Sequence, residues 1–214
     1  MLDGRESFEA KARRKISGWY DKQEYEDKAV TRMADQRDEI ICLLQSTERE
    51  GIDEVLLYLD ESGFYYRASS PYKHHNWPGG LAEHSLGTCK LALERAGDTL
   101  PRESVIIAGM LHDTCKSDRF WFRGRSIIKH HYNCAQDDLH SARSISILKN
   151  RGLKLTEPER LAIRWHMKGE HYHSRNLRKE ADHSKAVRTP LWKIVFWADK
   201  DDAKAHPAGR NKTY

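Results

Sequence analysis

Six uncharged residues, Ile106 to Leu111, lead directly into His112 and Asp113. An apolar run with no polar face reads as a buried helix. A carboxylate carried into such surroundings is costly unless it is paired or bound to a cation. A divalent ion resolves the conflict, because neutral imidazole and ionised carboxylate are its ordinary ligands. Taken alone, the pair reads more simply as a helix C-terminus, with a histidine capping the last carbonyls and an aspartate facing water.

The same chemistry recurs along the chain. His84 lies on a helix expected from about Gly80 to Ala96, which Gly97 stops. His140 falls on a helix expected over about 137–150, and His166 near the end of one expected from Pro158 to about Met167. Thr156-Glu-Pro-Glu159 opens that last helix as a capping box with proline in the first turn. Thr189 and Pro190 open a final apolar helix, with Asp199 just beyond its apolar stretch. Each histidine by itself suits a satisfied core position. The order His, His-Asp, His, His, Asp on successive helices is hard to explain by packing.

The elements that must position these residues all carry helical spacing, so the predicted fold class is all-α, with no convincing strand. Residues 1–50 read as a helical N-terminal extension, with its clearest helix from about Ala34 to Glu48. Residues 51–206 read as the main domain, and 207–214 as a flexible tail. The segment 64–80 is loop chemistry but unusually aromatic, so it should pack over something. Residues 117–136 read as irregular, and 168–189 as a mobile polar loop.

Composition sets wider limits. The chain has 214 residues and a formal net charge of +5, which mildly favours anionic ligands. Its four cysteines form no Cys-x-x-Cys pair and are too sparse for a disulfide scaffold, so a reduced, cytoplasmic setting is expected. Met1 leads into Asp3, Arg5 and Glu6 rather than a signal peptide, and no apolar run approaches the roughly 20 residues of a membrane span. No membrane partner is expected.

The motifs together resemble the HD-domain superfamily of metal-dependent phosphohydrolases. Gly79-Gly-Leu-Ala-Glu-His-Ser85 is similar to the segment carrying the first histidine in a bacterial and phage branch. Gly63-Phe64 and Ala68-Ser69-Ser70-Pro71-Tyr72 stand before it as in that branch. Leu161-Ala-Ile-Arg-Trp-His-Met167 and Phe196-Trp-Ala-Asp199 are similar to later segments, and the likeness covers about residues 51–205. It implies an HD-domain helical bundle. It implies that His84, His112, Asp113 and Asp199 hold a first metal, and that Asp113, His140 and His166 hold a second. The expected cofactor is a divalent transition metal, two ions of Mn, Fe, Ni, Co or Zn.

Lys116 matches the lysine that often follows the pair, one turn after His112, and would hold a phosphate oxygen as a point charge. Cys115 replaces the glycine usual before it. The implied reaction is hydrolysis of a phosphomonoester or phosphodiester by a metal-activated water, with Asp113 and Lys116 as catalytic residues. Lys73, His75, Arg123, Arg125 and Lys129 are candidates for further phosphates, and Tyr72, Trp77 and Trp121 for stacking on a base. The expected partner is a nucleotide or other phosphorylated small molecule, or a short nucleic-acid end. Two other readings stand beside it: an HD-type di-iron oxygenase, and a non-catalytic nucleotide-binding regulatory module.

Overall fold

Local signals set most of the helix boundaries in the computed structural model, which describes residues 6–129 and 137–209. Helix α1 (Phe8–Ile16) opens on Ser7, whose hydroxyl accepts from the Ala10 amide. It is followed by α2 (Gln23–Gln45) and α3 (Ile52–Ser62). Helix α4 (Gly80–Ala96) runs between Gly79 and Gly97, and α5 (Arg102–Leu111) follows Pro101. The remaining helices are α6 (Asp137–Asn150), α7 (Glu157–Trp165), α8 (Leu177–Ala186) and α9 (Pro190–Ala205). The Thr156–Glu159 capping box is formed, and proline sits in the first turn of both α7 and α9.

Helix α5 is the axis of the bundle. Every residue from Ser104 to Leu111 is buried, and α4, α7 and α9 all pack against it. Helices α4 and α5 approach closely because position 109 has no side chain. A Cβ on Gly109 would lie 3.0 Å from the Cα of Cys89. Helices α1 and α2 share the same core, where Ala12, Ile16, Met33, Ile40 and Leu44 are fully buried with the α5 residues. Among the described residues, the buried side chains of 6–50 thus belong to the same core as the rest of the bundle.

Several expectations need correction. Residues 120–129 form an antiparallel hairpin, β1 (Phe120–Arg123) with β2 (Ser126–Lys129), pairing Trp121 with Ile128 and Phe122 with Ile127. Four-residue strands give little periodicity to read, and this pair is steadied from outside by Trp19, whose ring meets Phe122 edge-on at 4.8 Å. The polar segment 168–189 contains α8, which buries only His183 and Ala186. It is held from α7 through Arg160 and the Trp165 indole, which donates to Asp182 at 2.9 Å. Helix α2 begins well before Ala34, and Asp199 lies within α9 rather than beyond it. The segment expected as a free tail from 207 is tied down as far as Gly209. The Ala208 amide donates to the Lys73 carbonyl (2.9 Å) and the Gly209 amide to Asn76 Oδ1 (3.0 Å). Residues 210–214 lie outside the described residues. No helix among the described residues is long and apolar enough to cross a membrane.

Glu159 joins three parts of the bundle. Fully buried, it accepts from Arg49 Nη1 (2.8 Å), Ser104 Oγ (2.7 Å) and the Thr156 amide (2.8 Å). Glu159→Ala removes a helix cap and the carboxylate partner of the Arg49 guanidinium, which keeps the Lys154 carbonyl, so it should cost about 2–4 kcal/mol in urea unfolding. Glu159→Gln, which keeps an acceptor, should cost less; equal stability of Glu159→Ala and the parent chain would contradict this role.

Candidate metal centre

Four helices each deliver one part of the centre. His112 and His166 follow the last residues of α5 and α7 and are still in helical conformation. Asp113 comes next, at φ −107° and ψ 15°, and a single 3-10 turn (Thr114–Lys116) carries the chain on to Lys116. His84 projects from the first half of α4 and Asp199 from the middle of α9. His84, His112 and His166 are fully buried, and Asp113 and Asp199 nearly so.

The side chains converge. His84 Nε2 lies 3.1 Å from Asp199 Oδ1 and 3.6 Å from Asp113 Oδ2. His112 Nε2 lies 3.3 Å from His84 Nε2, 3.4 Å from Asp113 Oδ2 and 3.9 Å from Asp199 Oδ1. His166 Nε2 faces the other oxygen of the same carboxylate, Asp113 Oδ1, at 3.5 Å. The two oxygens of Asp113 thus address different imidazoles. Two groups of donors result, His84–His112–Asp199 and His112–Asp113–His166, each with ligand atoms within 4.8 Å of one another.

The opposite edge of each ring fixes its tautomer. His112 Nδ1 donates to the Gly109 carbonyl and His166 Nδ1 to the Ile163 carbonyl, both at 2.8 Å. His84 Nδ1 donates to Asp202 Oδ2 at 2.6 Å. All three Nε2 atoms are then lone-pair donors aimed at carboxylate oxygens, an arrangement that repels itself unless a cation lies between them. The spacing agrees, since ligands about 2.1 Å from one ion stand roughly 3.0–3.5 Å apart. Imidazole with carboxylate is a donor set that binds divalent metals, so the residues present could hold a metal ion.

A proton can take the cation's place. Burial disfavours an imidazolium at His84, but hydrogen bonds to Asp199 and Asp202 outweigh it and hold the pKa up at about 9. Burial likewise opposes ionisation of Asp199, yet the hydrogen bond and charge of His84 hold its carboxyl well below the ordinary range. Lys116 Nζ lies 2.5 Å from Asp113 Oδ2 and donates to Ser69 Oγ at 3.4 Å.

Other sequence candidates fall in different places. His140 lies on α6, and its side chain is outside the described residues. Tyr72 and Lys73 are exposed on the loop that leads to His74, whose ring is 4.7 Å from that of His84. Arg123 is exposed at the hairpin end, where Gly124 meets Gly18. His75 is fully buried on the Nδ1 side of His84, so it is not positioned to meet a substrate from solvent. Trp77 is buried with its indole donating to Glu83 at 2.9 Å, and the Arg67 guanidinium covers Trp121 at 3.7 Å; neither ring is open for stacking.

The sequence reading missed Asp202. It lies three residues after Asp199 and therefore on the same face of α9, a spacing that was available as a signal. Helix α4 makes room for it: a Cβ at Gly87 would fall 2.1 Å from Asp202 Oδ1. Orienting a ligand imidazole through its far nitrogen is the usual task of such a carboxylate. Comparison of the chain with family models, with curated proteins and with solved structures gives no match in any of the three.

Metal loading must displace the proton from His84 Nε2. Divalent-ion affinity of metal-free protein should therefore rise about tenfold per pH unit from about pH 7 and level off above about 9. The raised pKa also stabilises metal-free protein fully below 6.5, the ordinary value, and this contribution is lost as pH rises through about 9. Calorimetric titration with Zn²⁺ across this range tests the first point; a pH-independent affinity would contradict it.

Proposed function

We propose that the chain is a metal-dependent phosphohydrolase of the HD-domain type, cleaving a phosphomonoester or phosphodiester of a nucleotide or nucleic-acid end. One observation carries the reading: Asp113 turns its two oxygens toward different imidazoles, as a carboxylate shared by two cation positions does. His84, His112, Asp113 and Asp199 would hold one ion, and Asp113 with His166, joined by His140 as the resemblance implies, a second. Bound divalent ions supply charge for the phosphoryl oxygens and lower the pKa of the attacking water.

The chain's own groups supply the rest. Lys116 sits at the rim, with its side chain about one-tenth exposed and its ammonium on Asp113 Oδ2. It can release that oxygen and hold a phosphoryl oxygen as a point charge, with the Ser69 hydroxyl beside it. A thiol nucleophile does not fit here, because burial pushes the neighbouring Cys115 up to about 12. The exposed Tyr72 and Lys73 border the site through His74 and suit a base and a further phosphate.

The reading is tested by loading purified protein with Mn²⁺ and screening mono-, di- and cyclic nucleotides and short oligonucleotides for product release. Asp113→Asn should lower kcat by about 10³-fold or more. Lys116→Ala should lower kcat/KM by about 10–10³-fold while metal content stays unchanged. Metal-loaded protein that turns over no phosphoester, or an Asp113→Asn variant as active as its parent, would overturn the reading.

A further inference from the structure

A second group of donors stands on the far side of His84. His75 is fully buried, and its Nε2 has no hydrogen-bond partner. That atom lies 3.6 Å from Asp202 Oδ2, beyond hydrogen-bonding distance. The His206 ring is 4.5 Å from that of His75, and ligand atoms of His75, Asp202 and His206 lie within 4.8 Å of one another.

We propose that His75, Asp202 and His206 form a separate cation site, of the two-imidazole, one-carboxylate class that suits Zn²⁺, Co²⁺ or Ni²⁺. The site does not depend on the phosphohydrolase reading. Its donors come from the 73–76 loop and the end of α9, and a bound ion would clamp the two together.

Three observations carry it. The first is tautomeric. His75 Nδ1 is 3.3 Å from His74 Nδ1, and with His75 as the donor its Nε2 becomes a bare lone pair facing a carboxylate. His206 meets the group through Nδ1, which lies 3.5 Å from Asp202 Oδ1 and 3.0 Å from the Asp202 carbonyl.

The second is strain. His75 has φ +44°, a left-handed backbone rare for a residue with a side chain. It is held there from both sides, by its amide donating to the His206 carbonyl (3.1 Å) and its carbonyl accepting from the Ser69 amide (3.0 Å). A strained backbone that aims a buried, unsatisfied nitrogen at a carboxylate is what a preformed ligand requires. The third is access. His206 is about one-third exposed, so an ion can enter from solvent without passing through the first centre.

The experiment separates the two centres. The double variant His112→Ala, Asp113→Ala removes the first one, and equilibrium dialysis against Co²⁺ followed by elemental analysis counts what remains. One equivalent should be retained, with the visible absorption of four- or five-coordinate Co²⁺, and adding His206→Ala should remove both. In the otherwise intact chain, His206→Ala alone should lower the bound metal by one equivalent, with an unchanged far-ultraviolet dichroism spectrum. An unchanged count on His206→Ala would overturn the proposal. So would a double variant that keeps no ion while the parent chain binds metal, and that result would leave the first centre standing. If the double variant binds as many ions as the parent, and His206→Ala lowers that count by one, the first centre is the one that fails and the His75 site stands; no ion bound to either overturns both.

Discussion

Without an added proton or cation, three imidazole lone pairs and two carboxylates would face one another inside an apolar bundle. Only positive charge placed among them makes the arrangement stable, whether it arrives as a proton on His84, as the ammonium of Lys116 or as a metal ion. The fold is built so that the problem cannot be avoided. Helix α5 is buried along most of its length, so its C-terminal end has to discharge His112 and Asp113 into the interior. Helices α4, α7 and α9 close around that end, and each adds one more ligand-type side chain.

The same local device is used twice. His112 and His166 both stand just after the last residue of a helix, and both donate Nδ1–H to the carbonyl three residues earlier. Those carbonyls belong to the unsatisfied set that every helix leaves at its C-terminus. Capping and ligation are therefore not competing explanations of a histidine at a helix end. The cap fixes ring and tautomer, and the tautomer turns the other nitrogen toward the carboxylates. His84 sits inside a helix, where its backbone offers no such carbonyl, and it takes its orientation from Asp202 across the bundle instead.

The parts of the chain that escaped the sequence reading share a physical reason. The hairpin over 120–129 has strands too short to show alternation, and it leans on Trp19 from a distant segment. Helix α8 is polar on nearly every side, and it is attached by an ion pair, an indole hydrogen bond and the buried His183 and Ala186 rather than by a continuous apolar stripe. Residues 207–209 look like tail chemistry, but the amides of Ala208 and Gly209 are taken up by the 73–76 loop, which lies far away in sequence.

The sequence by itself determined where most helices start and stop, because caps, prolines and glycines act within a turn of the residues they affect. It also determined that α5 is buried and that ligand-type residues recur from helix to helix, since periodicity and residue type are local properties. Only the tertiary structure decided which atoms meet. Helix packing sets the distance from His166 to one oxygen of Asp113 and from His84 to the other. Packing also sends His75 to the Nδ1 side of His84, although its residue type and order suit a substrate contact, and it brings Asp202 within reach through the gap at Gly87. Directions in space depend on how helices cross, and crossing is fixed by the shape of whole surfaces rather than by any one stretch of chain.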